Sequence, residues 1–134
     1  MTGIVVDSSA LAAICFGEAR HERFAELIGS ATPSLMSAAT LVEASIVIEA
    51  REGAAGTGMV ERVLRDGRVE VVEVTEEHAR SAIIAWRRYG KGNHRASLNF
   101  ADCFVYALAE VKGYPIVCDG NDFAQTDLEV LPVR

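Results

Sequence analysis

Apolar positions fall into short β-branched runs separated by longer stretches at helical spacing. Residues 3–6 form a compact apolar run, and Asp7-Ser8-Ser9 then precedes a helical pattern over 10–16. That order predicts a buried strand handing over to a helix capped by Asp or Ser. A second amphipathic helix is predicted over 18–28, with Phe24, Leu27 and Ile28 inward and Gly29 ending it. Residues 33–37 read as a second strand and 38–52 as a long helix closed by Gly53. The small residues 54–58 read as a turn, having neither the lysine nor the spacing of a phosphate-binding loop. A helix over 59–65, a strand over 69–74 exposed on one side, and a helix from the Thr75 cap to Tyr89 follow. The last elements are a helix over 99–111 stopped by Gly113, a strand over 115–118 and a closing strand over 128–133. Strands alternating with helices predict an α/β fold, a single domain with a mainly parallel central sheet flanked by helices.

Against this pattern a few carboxylates look misplaced. The predicted helix NFADCFVYALAEV is apolar around most of its circumference, which marks a buried helix, yet it contains Asp102. With Asn99 opening the helix, Asp102 falls in the first turn, where the helix dipole compensates a negative charge only in part. Asp7 follows the apolar run IVV, Glu43 lies inside TLVEASIVI, and Asp119 and Asp122 follow PIVC. Each has an ordinary structural reading: Asp7 as a helix cap, Glu43 as a solvated helix position. Together they make sense as acids facing one cation site. Asp7 and the Asp119/Asp122 loop both follow carboxyl ends of strands, the edge that carries active sites in open α/β sheets.

Charge narrows the function classes. Thirteen basic residues against 19 acidic ones give a formal charge of -6, which argues against a protein that holds nucleic acid by bulk charge. The concentrated basic stretch is RRYGKGNHRAS, with Arg87, Arg88, Lys91, His94 and Arg95, leading straight into the Asp102 helix. That adjacency favours phosphate contact over a merely solvated loop. Cys15, Cys103 and Cys118 lie among apolar residues without metal-finger spacing, so buried reduced thiols are expected. The N-terminus lacks a secretion signal and no apolar run is long enough to span a bilayer, which predicts a soluble cytoplasmic protein without membrane contact.

An all-carboxylate cluster suits a hard divalent ion, Mg2+ or Mn2+, rather than zinc. Such an ion bridges naturally to phosphate oxygens, and the matching reaction is phosphodiester hydrolysis by one metal or two, roughly 4 Å apart. His21, His78 and His94 lie in polar stretches and are expected at the surface, so no histidine-based triad competes. A phosphatase using Asp7 as nucleophile wants a second aspartate two residues on, where Ser9 stands, and a receiver-like domain wants a lysine after a late strand, which is missing.

At these residues the sequence resembles the PIN-domain ribonucleases, and within them the VapC-type toxins of bacterial toxin–antitoxin pairs. The resemblance rests on VVDSSAL, LVEASIVIEAR, RYGKGNHRASLNFADCFVYALA and GNDFAQTDLEV, in that order along the whole chain. It implies a metal-dependent endoribonuclease toxin that cuts structured RNA such as tRNA or rRNA. It further implies a homodimer inhibited by a cognate VapB-type antitoxin that also binds promoter DNA, with an antitoxin arginine entering the acidic site. By position in these motifs Asp7, Glu43 and Asp102 look like the first three acidic ligands, with the fourth in Asn121-Asp122. Asp119 departs from the family pattern, which often has a basic or neutral residue there. On this reading Asp7 and Asp102 bind Mg2+ or Mn2+ most directly, and Glu43 completes the shell or orients the attacking water. Asn121 and Asp122 finish the rim, while Arg87, Arg88, Lys91 and Arg95 grip RNA phosphates. The alternative is a catalytically silent PIN-like module that binds RNA or a partner.

Overall fold

The computed structural model describes residues 2–133. Its strands are β1 (Ile4–Val6), β2 (Ser34–Ser37), β3 (Val69–Val72) and β4 (Ile116–Val117), all parallel, in the order β3-β2-β1-β4. The helices are α1 (Ser8–Cys15), α2 (His21–Ser30), α3 (Ala38–Glu52), α4 (Ala55–Asp66), α5 (Glu76–Tyr89) and α6 (Phe100–Lys112), and a 3-10 turn spans Phe123–Gln125. The mainly parallel sheet expected from the alternation of elements is therefore present, with helices on both faces.

Successive residues of a strand point to opposite faces, and the central strands divide their side chains accordingly. Ile4, Val6, Met36 and Val117 pack with Leu11, Phe24, Ile48 and Val60 under α1 to α4. Val5, Leu35 and Ile116 pack with Ala85, Tyr106 and Leu108 under α5 and α6. Burial on both sides explains why β1 reads as an unbroken apolar run and not as an alternation. Registers Val5 to Ile116 and Val6 to Val117 place the ends of β1 and β4 side by side, and the Asp7 N–H donates to the Val117 carbonyl at 2.9 Å. The residues just beyond both strands thus meet at one edge of the sheet.

Helix α6 is buried over Val105–Ala109 as its composition demands, and the Tyr106 hydroxyl donates to Asp127 at 2.6 Å. That bond holds the Asp127 carboxyl below its usual range. Phe100 and Phe104 of the same helix face outward or lie partly buried. Together with Ala79, Ala82, Ile83 and Trp86 they border an apolar hollow of about 340 Å³ between α5 and α6.

Three expectations need correction. The stretch 54–58 is mostly helix: α4 starts at Ala55, because Gly56 serves close packing and not a turn. A Cβ on Gly56 would stand 3.1 Å from the Glu49 backbone, so the glycine lets α4 approach α3. The closing strand over 128–133 shrinks to one bridge between Ile116 and Val130, flanked by hydrogen bonds from Ile116 to Glu129 and from Leu131 to Ile116. Pro132 has no N–H with which to extend the pairing. His78 is buried, not at the surface. Its N–H is capped by the Thr75 hydroxyl, and it shares the inward face of α5 with Ser81, Ala82, Ala85 and Tyr89.

Gly56→Val should therefore destabilise the fold by about 1–3 kcal/mol through overpacking against α3. Gly58→Ala, two residues on in open space, should be neutral or stabilise by up to about 1 kcal/mol. Urea denaturation of both variants checks the contrast.

Candidate active site

Asp7 ends β1 and caps α1. Its Oδ2 accepts from the Ser9 N–H at 3.1 Å and from the Ser9 hydroxyl at 2.6 Å. Its Oδ1 is buried with no hydrogen-bond partner. Burial pushes the Asp7 carboxyl above its ordinary value, the Ser9 bonds oppose that, and the Glu43 charge adds to it.

Glu43 sits in the second turn of α3, a helix capped by the Ser37 hydroxyl at the end of β2. Its Oε1 is also buried without a partner, and so is the hydroxyl of Thr40 three residues earlier on the same helix. Thr40, fully buried, was not singled out by sequence reasoning. Its only signal is the i, i+3 spacing to Glu43.

Asp102 forms a capping box with Asn99. The Asn99 side chain accepts from the Asp102 N–H at 2.8 Å, and Asp102 Oδ2 accepts from the Asn99 N–H at 3.0 Å. Burial first, then the charges of Asp7, Glu43 and Asp122, opposed by the Asn99 bond, together raise its carboxyl to about 6. The acids singled out in the sequence therefore lie within electrostatic reach of one another.

A pocket of about 230 Å³ is lined by Asp7, Asn99, Asp102, Asp119, Asn121 and Asp122, among others. Glu43 is not among its walls and acts on the site through its charge. Cys118 shows the same field: burial first, then Asp7, Asp119, Asp122 and Asp102, push its thiol up to about 12. Among the described residues no three Asp, Glu, His or Cys side chains converge tightly enough to cage an ion by themselves. The oxygen-rich lining, with Asp7 Oδ1 buried and unpartnered, fits a hard divalent ion that takes one or two carboxylates and keeps several waters.

Of the basic residues, Arg87, Lys91 and Arg95 are exposed. Arg88 is engaged by Tyr89, to whose hydroxyl it donates at 3.0 Å, and by Asp127 at 3.9 Å. The loop between α5 and α6 is anchored by buried Ala96 and Leu98, with Lys91 N–H donating to the Leu98 carbonyl at 2.9 Å. Asp119 is paired with Arg20 at 2.6 Å, a contact that sequence reasoning did not anticipate because 99 positions separate the two residues.

A family model described as the PIN domain matches residues 4–129. The chain belongs to the PIN domain family. Among curated relatives of this PIN domain, ribonuclease VapC36 of Mycobacterium tuberculosis is 44% identical over 128 residues, covering 94% of this chain and 91% of that protein. Ribonuclease VapC of Mycolicibacterium smegmatis is 42% identical over 125 residues, covering 93% and 97%. Among solved structures, VapC20 of M. tuberculosis, described as a sarcin-ricin loop cleaving toxin, superposes with TM-score 0.76 at 23% identity, covering 96% of this chain and 98% of that one. VapBC2 of Rickettsia felis, bound to a DNA fragment from its promoter, gives TM-score 0.76 at 11% identity, covering 97% of each chain. At those identities the structures speak for the fold, and the curated relatives for the VapC kinship of this PIN domain.

Because the folded-state value of Asp102 lies above the ordinary 3.8, the folded protein holds a proton there that the unfolded chain has lost. That contribution to stability is complete below about pH 4 and is lost as pH rises towards 6. Asp102→Asn keeps an oxygen for the capping box and removes the charge. In EDTA its stability relative to wild type should rise between pH 4 and 6 by roughly 1 kcal/mol and then level off. Urea denaturation across that range tests this; a flat difference would overturn the raised value of Asp102.

Proposed function

We propose that the protein is a divalent-metal-dependent endoribonuclease, the VapC-type toxin of a toxin–antitoxin pair, acting on RNA phosphodiester bonds in a structured RNA such as tRNA or rRNA. The observation that carries this reading is the gathering of Asp7, Glu43, Asp102 and Asp122 from four separate elements of a PIN domain. Two of their oxygens are buried with no protein partner. The ribonuclease names of relatives above 40% identity support the reaction class.

Asp7 and Asp102 would hold the ion, Mg2+ or Mn2+, with Glu43, Asn121 and Asp122 around it. Bound there, the ion supplies an activated water and charge neutralisation at the leaving oxygen. Ser9 fixes Oδ2 of Asp7 and thereby leaves Oδ1 for the site. The Asn99 bond does the same for Asp102 Oδ2. Glu43 orients water or completes the shell. Arg87, Lys91 and Arg95 meet substrate phosphates, while Arg88 chiefly ties the basic segment to Asp127.

A VapB-type antitoxin is the inhibitory partner. A hollow of about 290 Å³, bordered by Ile14, Cys15 and Ile28 of α1 and α2 and by Met59 and Val63 of α4, with Arg62 and Asp66 also lining it, supports a place for one of its segments. An antitoxin arginine in the acidic pocket would replace the ion's charge. The apolar hollow around Trp86 and Phe100 supports a homodimer. No helix of the described residues is long and apolar enough to cross a membrane.

Cleavage of a structured RNA by purified protein should require Mg2+ or Mn2+, stop in EDTA, and fall at least about a hundredfold in Asp102→Asn. EDTA-resistant cleavage, or full activity in that variant, would overturn the assignment. Absence of cleavage together with no Mn2+-dependent rise in Tm would favour the silent binding module, since a bound ion must stabilise the fold. Trp86→Glu should convert a dimer to monomers in light scattering, and an unchanged mass would exclude that face.

A further inference from the structure

The turn between α1 and α2 brings a cation to the rim of the acidic pocket. Arg20 occupies the N-cap position of α2 with φ of 68°, and its side chain makes no capping bond to that helix. The left-handed backbone is uncommon for a residue with a side chain, so the surrounding contacts must hold it. The guanidinium instead bonds Asp119 Oδ1 at 2.6 Å through Nη2 and donates to the Val133 carbonyl at 3.3 Å through Nη1. Asp119 is the family departure noted from sequence, and it lines the same pocket as Asp7, Asp102 and Asp122.

The contacts continue inward. The Asp119 N–H donates to the Ser9 hydroxyl at 2.8 Å, and that hydroxyl donates to Asp7 Oδ2 at 2.6 Å. One chain of bonds therefore runs from the α1–α2 turn through the loop after β4 to the buried carboxylate of β1. Gly120, at φ of 112°, follows Asp119 and turns the chain towards Asn121 and Asp122.

Resting on the metal-centre reading of the pocket, we propose that Arg20 and Asp119 form a latch that positions the site for its divalent ion. The latch holds the loop after β4 against Ser9. This sets the orientation of Asp7 and the placement of Asn121 and Asp122. Arg20 is a positioning residue, and Asp119 is its partner and not an ion ligand. The pair is partly exposed, so its effect lies in geometry more than in global stability.

Isothermal titration with Mn2+ of wild type, Arg20→Gln, Asp119→Asn and the double variant tests this, alongside RNA cleavage as a function of Mn2+ and thermal melts in EDTA. Each single variant should fold, bind Mn2+ about tenfold more weakly, and recover most of its cleavage rate at saturating Mn2+. The double variant should be no worse than either single one, because both remove the same contact. Multiplying effects, or wild-type affinity in Arg20→Gln, would overturn the latch. So would tighter binding in Arg20→Gln, or a much larger loss in Asp119→Asn, since either assigns Asp119 to the ion. A wild-type protein that binds no Mn2+ would sink the metal-centre reading and this role with it. Wild type that binds Mn2+ beside an unaffected Arg20→Gln would sink the latch alone.

Discussion

Carboxylates of like charge are being held near one another in a partly desolvated pocket, and the rest of the fold has to make that tolerable. Burial raises Asp7 and Asp102, and each feels the other acids of the cluster. Such a group of charges costs stability by itself and becomes favourable with a cation among them. The supporting scaffold is a parallel sheet buried on both faces, so the ends of β1 and β4 are fixed by two separate cores. The strain of charge repulsion is thus met by packing that lies away from the site.

Helix capping and the site use the same residues. Asp7 caps α1 through one oxygen and Asp102 closes a capping box through one oxygen. In Asp7 the other oxygen is buried and unpartnered. The ordinary reading of Asp7 as a cap is therefore correct and incomplete. A cap needs one lone pair in a fixed direction, and a carboxylate has a second oxygen to offer. Fixing one oxygen to the backbone also fixes where the other one faces, which is the preorganisation a metal site needs.

The polar rim is organised by pairs formed across the chain. Arg20 with Asp119, and Arg88 with Asp127, tie segments that no local pattern relates. Both pairs are partly exposed, so they set the position of their segments more than they add stability.

Local periodicity determined the elements of this protein, since a strand buried on both faces and a helix buried around its circumference each leave a plain mark in the order of side chains. It also exposed Asp102 and Asp7, because an acid among apolar neighbours conflicts with its surroundings wherever the chain goes. Only the tertiary structure decided the rest. Gly56 looked like a turn and proved to be a packing contact, His78 looked polar and proved buried, and the terminal strand came down to a single bridge. The Arg20–Asp119 pair had no signature at all, and the orphaned Thr40 hydroxyl only its spacing to Glu43. These features depend on which atoms the fold places a few ångströms apart, and hydrogen bonds and ion pairs are decided at that range, whereas hydrophobic patterning is already present along the chain.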